Sequence, residues 1–351
     1  MANKVMVTGP GGFIGSYLTP ALAQRGDQVI AAGITRPDYL KNPDQFPNVR
    51  FVSIHLAQPE TFAPALEGVE RVYHTAALFS FFREEKLLHQ INAEGTHALG
   101  QAAARAGVKE FINWSSGAIY GTAYGNHPVA ESDPPQPNDK YTRSKWAQEQ
   151  AAFSFNGSQM KVLNLRPGAV YGPGSTYGDA SALYLLKRGV LCVIPGFRDF
   201  YSSHLHVEDM VAAALHLADR PESYAPQAAS PADLAYNVAD DTPMSAKELL
   251  TSAAKLIPNK GLLGFLPIRV PVAAVRLVAW LSENYAKLRN TTPLVEIDSI
   301  DYIAAGHALS NAKLKAAGYA LRHPQIASSL ADTIAWYEQS NWKVFEEEEC
   351  R

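Results

Sequence analysis

The chain has 351 residues, 47% hydrophobic and 19% charged, and its 31 basic against 34 acidic side chains leave a formal charge of -3. That balance disfavours a generic nucleic-acid partner, since phosphate backbones demand a basic excess, and the apolar fraction is too high for disorder. The length points to one large domain or two modest ones.

Two cysteines, Cys192 and Cys350, cannot build a disulfide framework, and no CxxC or Cys/His spacing suggests zinc, so no metal is expected. The opening residues lack the apolar stretch and cleavage site of a signal peptide. The most apolar segment, 261–281, is interrupted by Pro267, Arg269, Pro271 and Arg276. A spanning helix wants about 20 apolar residues with almost no charge. The reading is a cytoplasmic protein without a membrane span.

Through the first half, short β-branched runs alternate with helical patterns. Strands are predicted at 4–8, 28–32, 49–54, 71–74, 110–114 and 161–165, with helices at 13–25, 60–66, 86–105 and 141–155. This alternation argues for an α/β fold, a doubly wound parallel sheet with crossover helices. Several strands are apolar throughout, as expected when both sheet faces are covered. After residue 173 prolines become frequent and the rhythm loosens. Residues 1–172 are read as the sheet domain, with returns near 205–240 through a helix at 207–218 and a strand at 235–238. Residues 173–345 are read mainly as a smaller, mostly helical substrate domain, and 346–351 as an acidic tail. The stretch 272–281, apolar nearly all round, is expected to be a buried helix; the alternative is an entrance wall or a segment grazing a membrane.

The first strand runs into Gly9-Pro10-Gly11-Gly12-Phe13-Ile14-Gly15 and then a helix. Gly9 permits the turn, Gly12 lets a pyrophosphate approach the backbone, and Gly15 lets helix and strand pack closely. The amides of Phe13 and Ile14 would then donate to phosphates with the helix dipole behind them. Isolated glycine patterns are weak; this one has the strand before it and the helix after it. An acidic residue for the adenosine ribose is expected at the end of the second strand. That tip instead reads Gly33-Ile34-Thr35-Arg36. Gly33 leaves room for a 2′-phosphate, and Thr35 and Arg36 are placed to bind it, which favours NADP, with NAD as the alternative.

Tyr141 and Lys145 stand four apart at the start of a predicted helix, on one face. A phenol with a pKa near 10 serves as an acid–base at neutral pH only when a neighbouring cation stabilises its phenolate. Lys145 is the expected cation. Ser115 and Ser116 follow the fifth strand, at the sheet edge where such folds bind ligands.

The motifs TGPGGFIG (8–15), HTAA (74–77), NAEGT (92–96), SSGAIYG (115–121), YTRSK (141–145), RPGAVYGPG (166–174) and HVED (206–209) span most of the chain in order. Together they resemble the extended short-chain dehydrogenases/reductases, the broad epimerase, dehydratase and 3β-hydroxysteroid-dehydrogenase-like group, and the resemblance implies a Rossmann domain. It assigns Ser116 as the substrate-oxygen partner, with Ser115 as backup. Tyr141 would be the proton donor or acceptor, and Lys145 the electrostatic helper and ribose ligand. Ala76 and Ala77 resemble small residues beside the cofactor, and Pro167 to Val170 the strand end at the carboxamide. The family often has Asp at the position of His55; here adenine is left to His55 or the Leu56 backbone. An Arg-Asp pair often precedes the HV motif of nucleotide-sugar members, whereas this chain has Ser202-Ser203-His204-Leu205.

The favoured function is an NADP-dependent oxidoreductase interconverting a secondary alcohol and a ketone on a lipophilic small molecule. One alternative is a nucleotide-sugar epimerase or dehydratase, with Arg188 and Arg198 as its phosphate ligands. Another is a non-catalytic cofactor sensor or scaffold. Phe79 and its neighbours to Phe82 either wall a lipophilic pocket or pack under a loop. Asn92 is expected to bridge helix and sheet, Tyr120 and Tyr171 to support the sheet edge, and His206 to pack at a strand end. The family implies a homodimer through the 86–105 and 141–155 helices.

Overall fold

A computed structural model describes residues 3–189, 192–258, 265–289, 291, 293 and 295–345. The acidic tail, Cys350 and residues 261–264 lie outside the described residues.

The chain opens β1 (Lys4–Thr8), α1 (Phe13–Gln24), β2 (Gln28–Gly33), β3 (Val49–Ser53), the single turn α2 (Ala63–Leu66) and β4 (Arg71–His74). Next come α3 (Glu85–His89), a π turn (Gln90–Glu94), α4 (Gly95–Arg105), β5 (Glu110–Trp114), α5 (Lys140–Phe153) and β6 (Lys161–Pro167). The second half holds β7 (Ala169–Tyr171), α6 (Asp179–Lys187), β8 (Cys192–Pro195), β9 (Tyr201–Ser202), β10 (His204–His206) and α7 (Val207–Ala218). It continues β11 (Ala235–Val238), β12 (Met244–Ser245), α8 (Ala246–Leu256), β13 (Phe265–Val270) and α9 (Val272–Arg289). Helices α10 (Ile297–Ala305), α11 (Ala312–Ala316) and α12 (Ile326–Gln339) close the chain.

Seven parallel strands form the main sheet in the order β11-β6-β5-β4-β1-β2-β3. Alternation along each strand feeds two cores. In β1, Val5 and Val7 pack with Leu18 and Leu22 of α1 and with Met210 and Leu217 of α7. Met6 points to the other face, with Leu99 of α4 and Ala152 of α5. A strand buried on both sides has no polar face, which is why the middle of β1 reads as Val5-Met6-Val7; the ends of β4 are polar yet buried, because Arg71 pairs with Glu110 and Asp219 and His74 sits between Thr8 and Thr96. The order reverses between β1 and β4, where Thr8 lies level with His74. At such a switch point the crossover helices diverge and leave a crevice at the carboxyl ends of the strands. A third core joins α6, α8 and α12 through Leu183, Leu249 and Leu330.

Two predicted helices differ. The 60–66 stretch gives only one 3-10 turn and the single turn of α2. The 86–105 stretch is broken by the π turn, which tucks Asn92 inward at full burial. The largest correction is at 272–281. That helix forms, but Leu277, Val278, Trp280 and Leu281 are each more than half exposed, and only Ala279 and Ala286 of α9 are buried.

Candidate functional site

At the end of β1, Gly9 adopts φ +67, in the left-handed region that side chains disfavour. A Cβ there would stand 3.0 Å from the Ala76 backbone. Gly15, in the first turn of α1, is closer still: its Cβ would lie 2.1 Å from the Gly9 carbonyl oxygen. Helix and strand therefore pack backbone to backbone. Gly12, the N-cap of α1, offers no side-chain acceptor, so the first-turn amides of Phe13 and Ile14 are left to an external anion. At the tip of β2, a Cβ on Gly33 would sit 3.0 Å from the ring of Pro10. Thr35 and Arg36 follow, both exposed, with the Arg36 guanidinium 5.6 Å from the Phe51 ring centre.

Helix α5 begins with a reciprocal cap in which Asp139 accepts from the Thr142 amide at 2.8 Å while the Thr142 side chain accepts from the Asp139 amide. This cap sets the first turn, where Tyr141 sits at 8% exposure. Ser116 caps the 3-10 turn after β5, its Oγ accepting from the Ala118 amide at 3.1 Å. It also reaches the Tyr141 hydroxyl. Burial raises the Tyr141 pKa well above its ordinary value, the nearby Tyr177 hydroxyl adds to this, and the hydrogen bond with Ser116 pulls the other way.

Lys145 is also buried, and burial pushes its pKa down to about 7, against the pull of the Glu149 carboxylate. Its ammonium donates to the Trp114 carbonyl at 2.6 Å and to Gln148 Oε1 at 2.5 Å. The expectation that Lys145 lowers the phenol's pKa is not met in this state. Desolvation dominates the hydroxyl, and the ammonium is turned to the β5 carbonyl and Gln148.

One cleft of about 2230 Å³ takes in both regions, well beyond the ~300–1,000 Å³ of a single-ligand pocket. Gly9, Gly12, Phe13, Ile14, Gly15, Arg36, His55, Leu56, Ala76, Ala77, Phe79, Ser116, Tyr141, Lys145, Pro167 and Val170 all line it. At the cleft Ser115 Oγ is buried without a partner among the described residues, a polar atom with hydrogen-bonding capacity to spare. Close-packed glycines, uncapped amides and a cleft of this volume, lined from the glycine loop to Tyr141, together fit a dinucleotide. Beyond Tyr141 the wall is aromatic. Phe79 and Phe81 meet its ring edge-on at 4.8 and 5.4 Å, and Tyr177 connects Phe79, at 5.0 Å, to Phe13, at 6.0 Å.

Residues 5–239 match the model of the NAD-dependent epimerase/dehydratase family. The chain belongs to that family. It is an NAD(P)-dependent enzyme of the extended short-chain dehydrogenase/reductase type. It is 24% identical over 331 residues to a 3-beta-hydroxysteroid dehydrogenase of Mycolicibacterium neoaurum, covering 89% of this chain and 85% of the relative. It is 27% identical over 259 residues to a 2-alkyl-3-oxoalkanoate reductase of Stenotrophomonas maltophilia, covering 70% of this chain and 73% of the relative. In fold it is similar to a dTDP-glucose 4,6-dehydratase from Bacillus anthracis in complex with NAD, with TM-score 0.75, 18% identity and 99% of each chain covered.

Within this epimerase/dehydratase chain several residues take part that motif reading missed. Gln148, one turn beyond Lys145, passes its Nε2 hydrogen to Asn113 Oδ1 at 2.8 Å and so anchors the ammonium's partner to β5; its place on the Lys145 face was a readable signal. Tyr177, Tyr302 and Glu296 line the cleft from segments that carry no motif. Glu296 accepts from the Phe81 amide at 3.4 Å, holding the 79–82 loop against the start of α10. Asn92 is a structural bridge, but between loop and helix rather than helix and sheet: it accepts from the Leu78 amide at 2.7 Å, in the loop after β4, and donates to Ser144 Oγ of α5 at 3.0 Å.

Arg188 and Arg198, the phosphate ligands named for a nucleotide sugar, do not line the cleft. Arg188 reaches the Tyr184 hydroxyl at 3.0 Å, and Arg198 is exposed. His206 caps α7, but it also meets Glu208 and His323, their ligand atoms within 4.8 Å of one another. Spacing could not show this grouping, because His323 comes from the loop before α12. Among the described residues no helix is long and apolar enough to cross a membrane.

Proposed function

We propose that the protein is an NADP-dependent oxidoreductase that interconverts a secondary alcohol and a ketone on a lipophilic small molecule. The observation that carries this reading is the charge of the cleft wall. Among the described lining residues the only lysine and arginine are Lys145 and Arg36, and the space beyond Tyr141 is bounded by side chains such as Phe79, Leu185, Val278 and Ile303. A diphosphate buried there would lack the cations it needs. The names of the hydroxysteroid dehydrogenase and the oxoalkanoate reductase support the same direction. Arg36, and the lack of a carboxylate at the tip of β2, support NADP over NAD.

When bound, the nicotinamide supplies a hydride to the carbonyl carbon, or accepts one in the reverse direction. In reduction the Tyr141 hydroxyl gives its proton to the carbonyl oxygen, completing the alcohol. Its raised pKa keeps it protonated beforehand. Ser116 donates to the same oxygen and fixes its direction. Lys145, turning from Gln148, stabilises the phenolate left behind and holds the ribose. Phe79 and Phe81 keep water from the reacting pair. The protein works as a cytoplasmic homodimer in this reading, paired through α4 and α5, which light scattering checks.

The test is turnover of a ketone series graded in hydrophobicity, with NADPH. Activity should rise with chain length, and Tyr141→Phe should lower kcat by about 100-fold or more. Preferential binding of a uridine diphosphate sugar, with no ketone reduced, would replace this reading with the epimerase one.

A further inference from the structure

Helix α9 is built inside out. A helix at a protein surface buries its large apolar side chains and turns small or polar ones outward. Here Ala279 and Ala286 are buried, with Ser282 and Glu283 half-buried beside them. Outward stand Leu277 at 58%, Trp280 at 51%, Leu281 at 55%, Tyr285 at 61% and Leu288 at 82% exposure. With 3.6 residues per turn and about 1.5 Å per residue these five fall on one stripe along ~17 Å of helix. The flanks of that stripe are basic. Arg276, Lys287 and Arg289 stand against a single carboxylate on this helix, Glu283, in a chain whose overall charge is negative; Arg276 also pairs with Asp301 of α10 at 3.6 Å, while Lys287 and Arg289 lie over the Phe82 and Tyr285 rings. Glu283 accepts from the Ile297 amide at 2.9 Å, next to α10, rather than standing among the cations.

We infer that α9 docks on an anionic lipid bilayer, lying in the plane of the interface. Three features select lipid over a protein surface: the apolar stripe, tryptophan and tyrosine placed within it, and lysine and arginine along its edges, a composition suited to the headgroup boundary. The same helix is also a wall of the cleft, through Ala274, Val275 and Val278. Docking therefore places the apolar mouth of the cleft against hydrocarbon, where a lipophilic substrate is concentrated. The docking stands on the helix alone, and only its purpose rests on the oxidoreductase reading.

The experiment is co-sedimentation of the full chain with vesicles of phosphatidylcholine, with and without phosphatidylglycerol. The protein should pellet with the anionic vesicles and less so at high salt. The L281E/L288E double variant, altered only at exposed positions, should keep the wild-type melting temperature and lose about tenfold or more of its bound fraction. A wild-type protein that stays in the supernatant, or a double variant that pellets equally, overturns the inference. So does a wild-type dimer that the double variant turns into a monomer without vesicle binding, since the stripe then belongs between copies of this chain. A protein that pellets but reduces no ketone leaves the docking intact and counts against the oxidoreductase reading.

Discussion

Tyr141 and Lys145 were legible as a pair from four-residue spacing, but their electrostatics were not. Spacing places two side chains on one face; it does not say what each one touches. In the structure the ammonium rests on the Trp114 carbonyl and Gln148, with its pKa down at about 7 because it is buried. This has a kinetic consequence. Below about 7 Lys145 is charged and able to help; above it the free protein loses that charge, so kcat/KM for reduction should fall on the alkaline side. Arginine stays protonated throughout. A pH–rate profile of Lys145→Arg should show a lower plateau without that limb, and an unchanged limb would assign it to another group. At the other end of the cleft, Arg36→Ala should cut the preference for NADP over NAD by about tenfold, a loss of roughly 1.4 kcal/mol, measured as the ratio of kcat/KM values. An unaltered ratio would remove Arg36 from cofactor choice.

Among elements, those with one unambiguous pattern matched their predicted bounds. Strands β1, β4 and β5 and helix α7 did so, because a short β-branched or aromatic run bounded by turn residues, or a strong 3.6-residue period, has few competing conformations. The 86–105 helix carried no sign of its π turn, which depends on Asn92 finding Leu78 and Ser144 in space. Helix α9 misled for a different reason: apolar composition says that a surface avoids water, and says nothing of whether protein or lipid covers it. The N-terminus of α5 shows how an element sets the site. Asp139→Ala removes the cap two residues before Tyr141 and should cost about 1 kcal/mol, read by thermal denaturation, with a fall in kcat as the first turn frays. A stability loss with kcat intact would show that the aromatic rings alone position Tyr141.

For the whole molecule, the sheet order explains why residues from distant motifs converge, since every strand end at the switch point opens on the same cleft. Beneath it lies a buried ionic centre that ties the layers together. Arg166 of β6 pairs with Glu149 of α5 at 2.5 Å, both side chains at 0% exposure, and donates to the Tyr120 hydroxyl at 2.6 Å. Tyr120 in turn donates to Asn237 of β11 at 3.0 Å. Arg166 was readable only as a motif letter, because its partners are scattered along the chain. Arg166→Leu leaves a carboxylate buried without its cation and should cost about 3–5 kcal/mol in denaturant unfolding. Adding Glu149→Leu should restore much of that loss, and no recovery would mean the arginine acts by packing.

The apolar half of the cleft and the buried phenol at its floor lead to one expectation about bookkeeping of the cofactor itself. Stoichiometry tests it most directly: consumption of NADPH against loss of a lipophilic ketone, in the wild-type protein and in Tyr141→Phe. One equivalent oxidised for each ketone lost, with both falling together in the variant, is the predicted result. Substrate conversion without net oxidation of the cofactor, or a variant that runs at the wild-type rate, would contradict it.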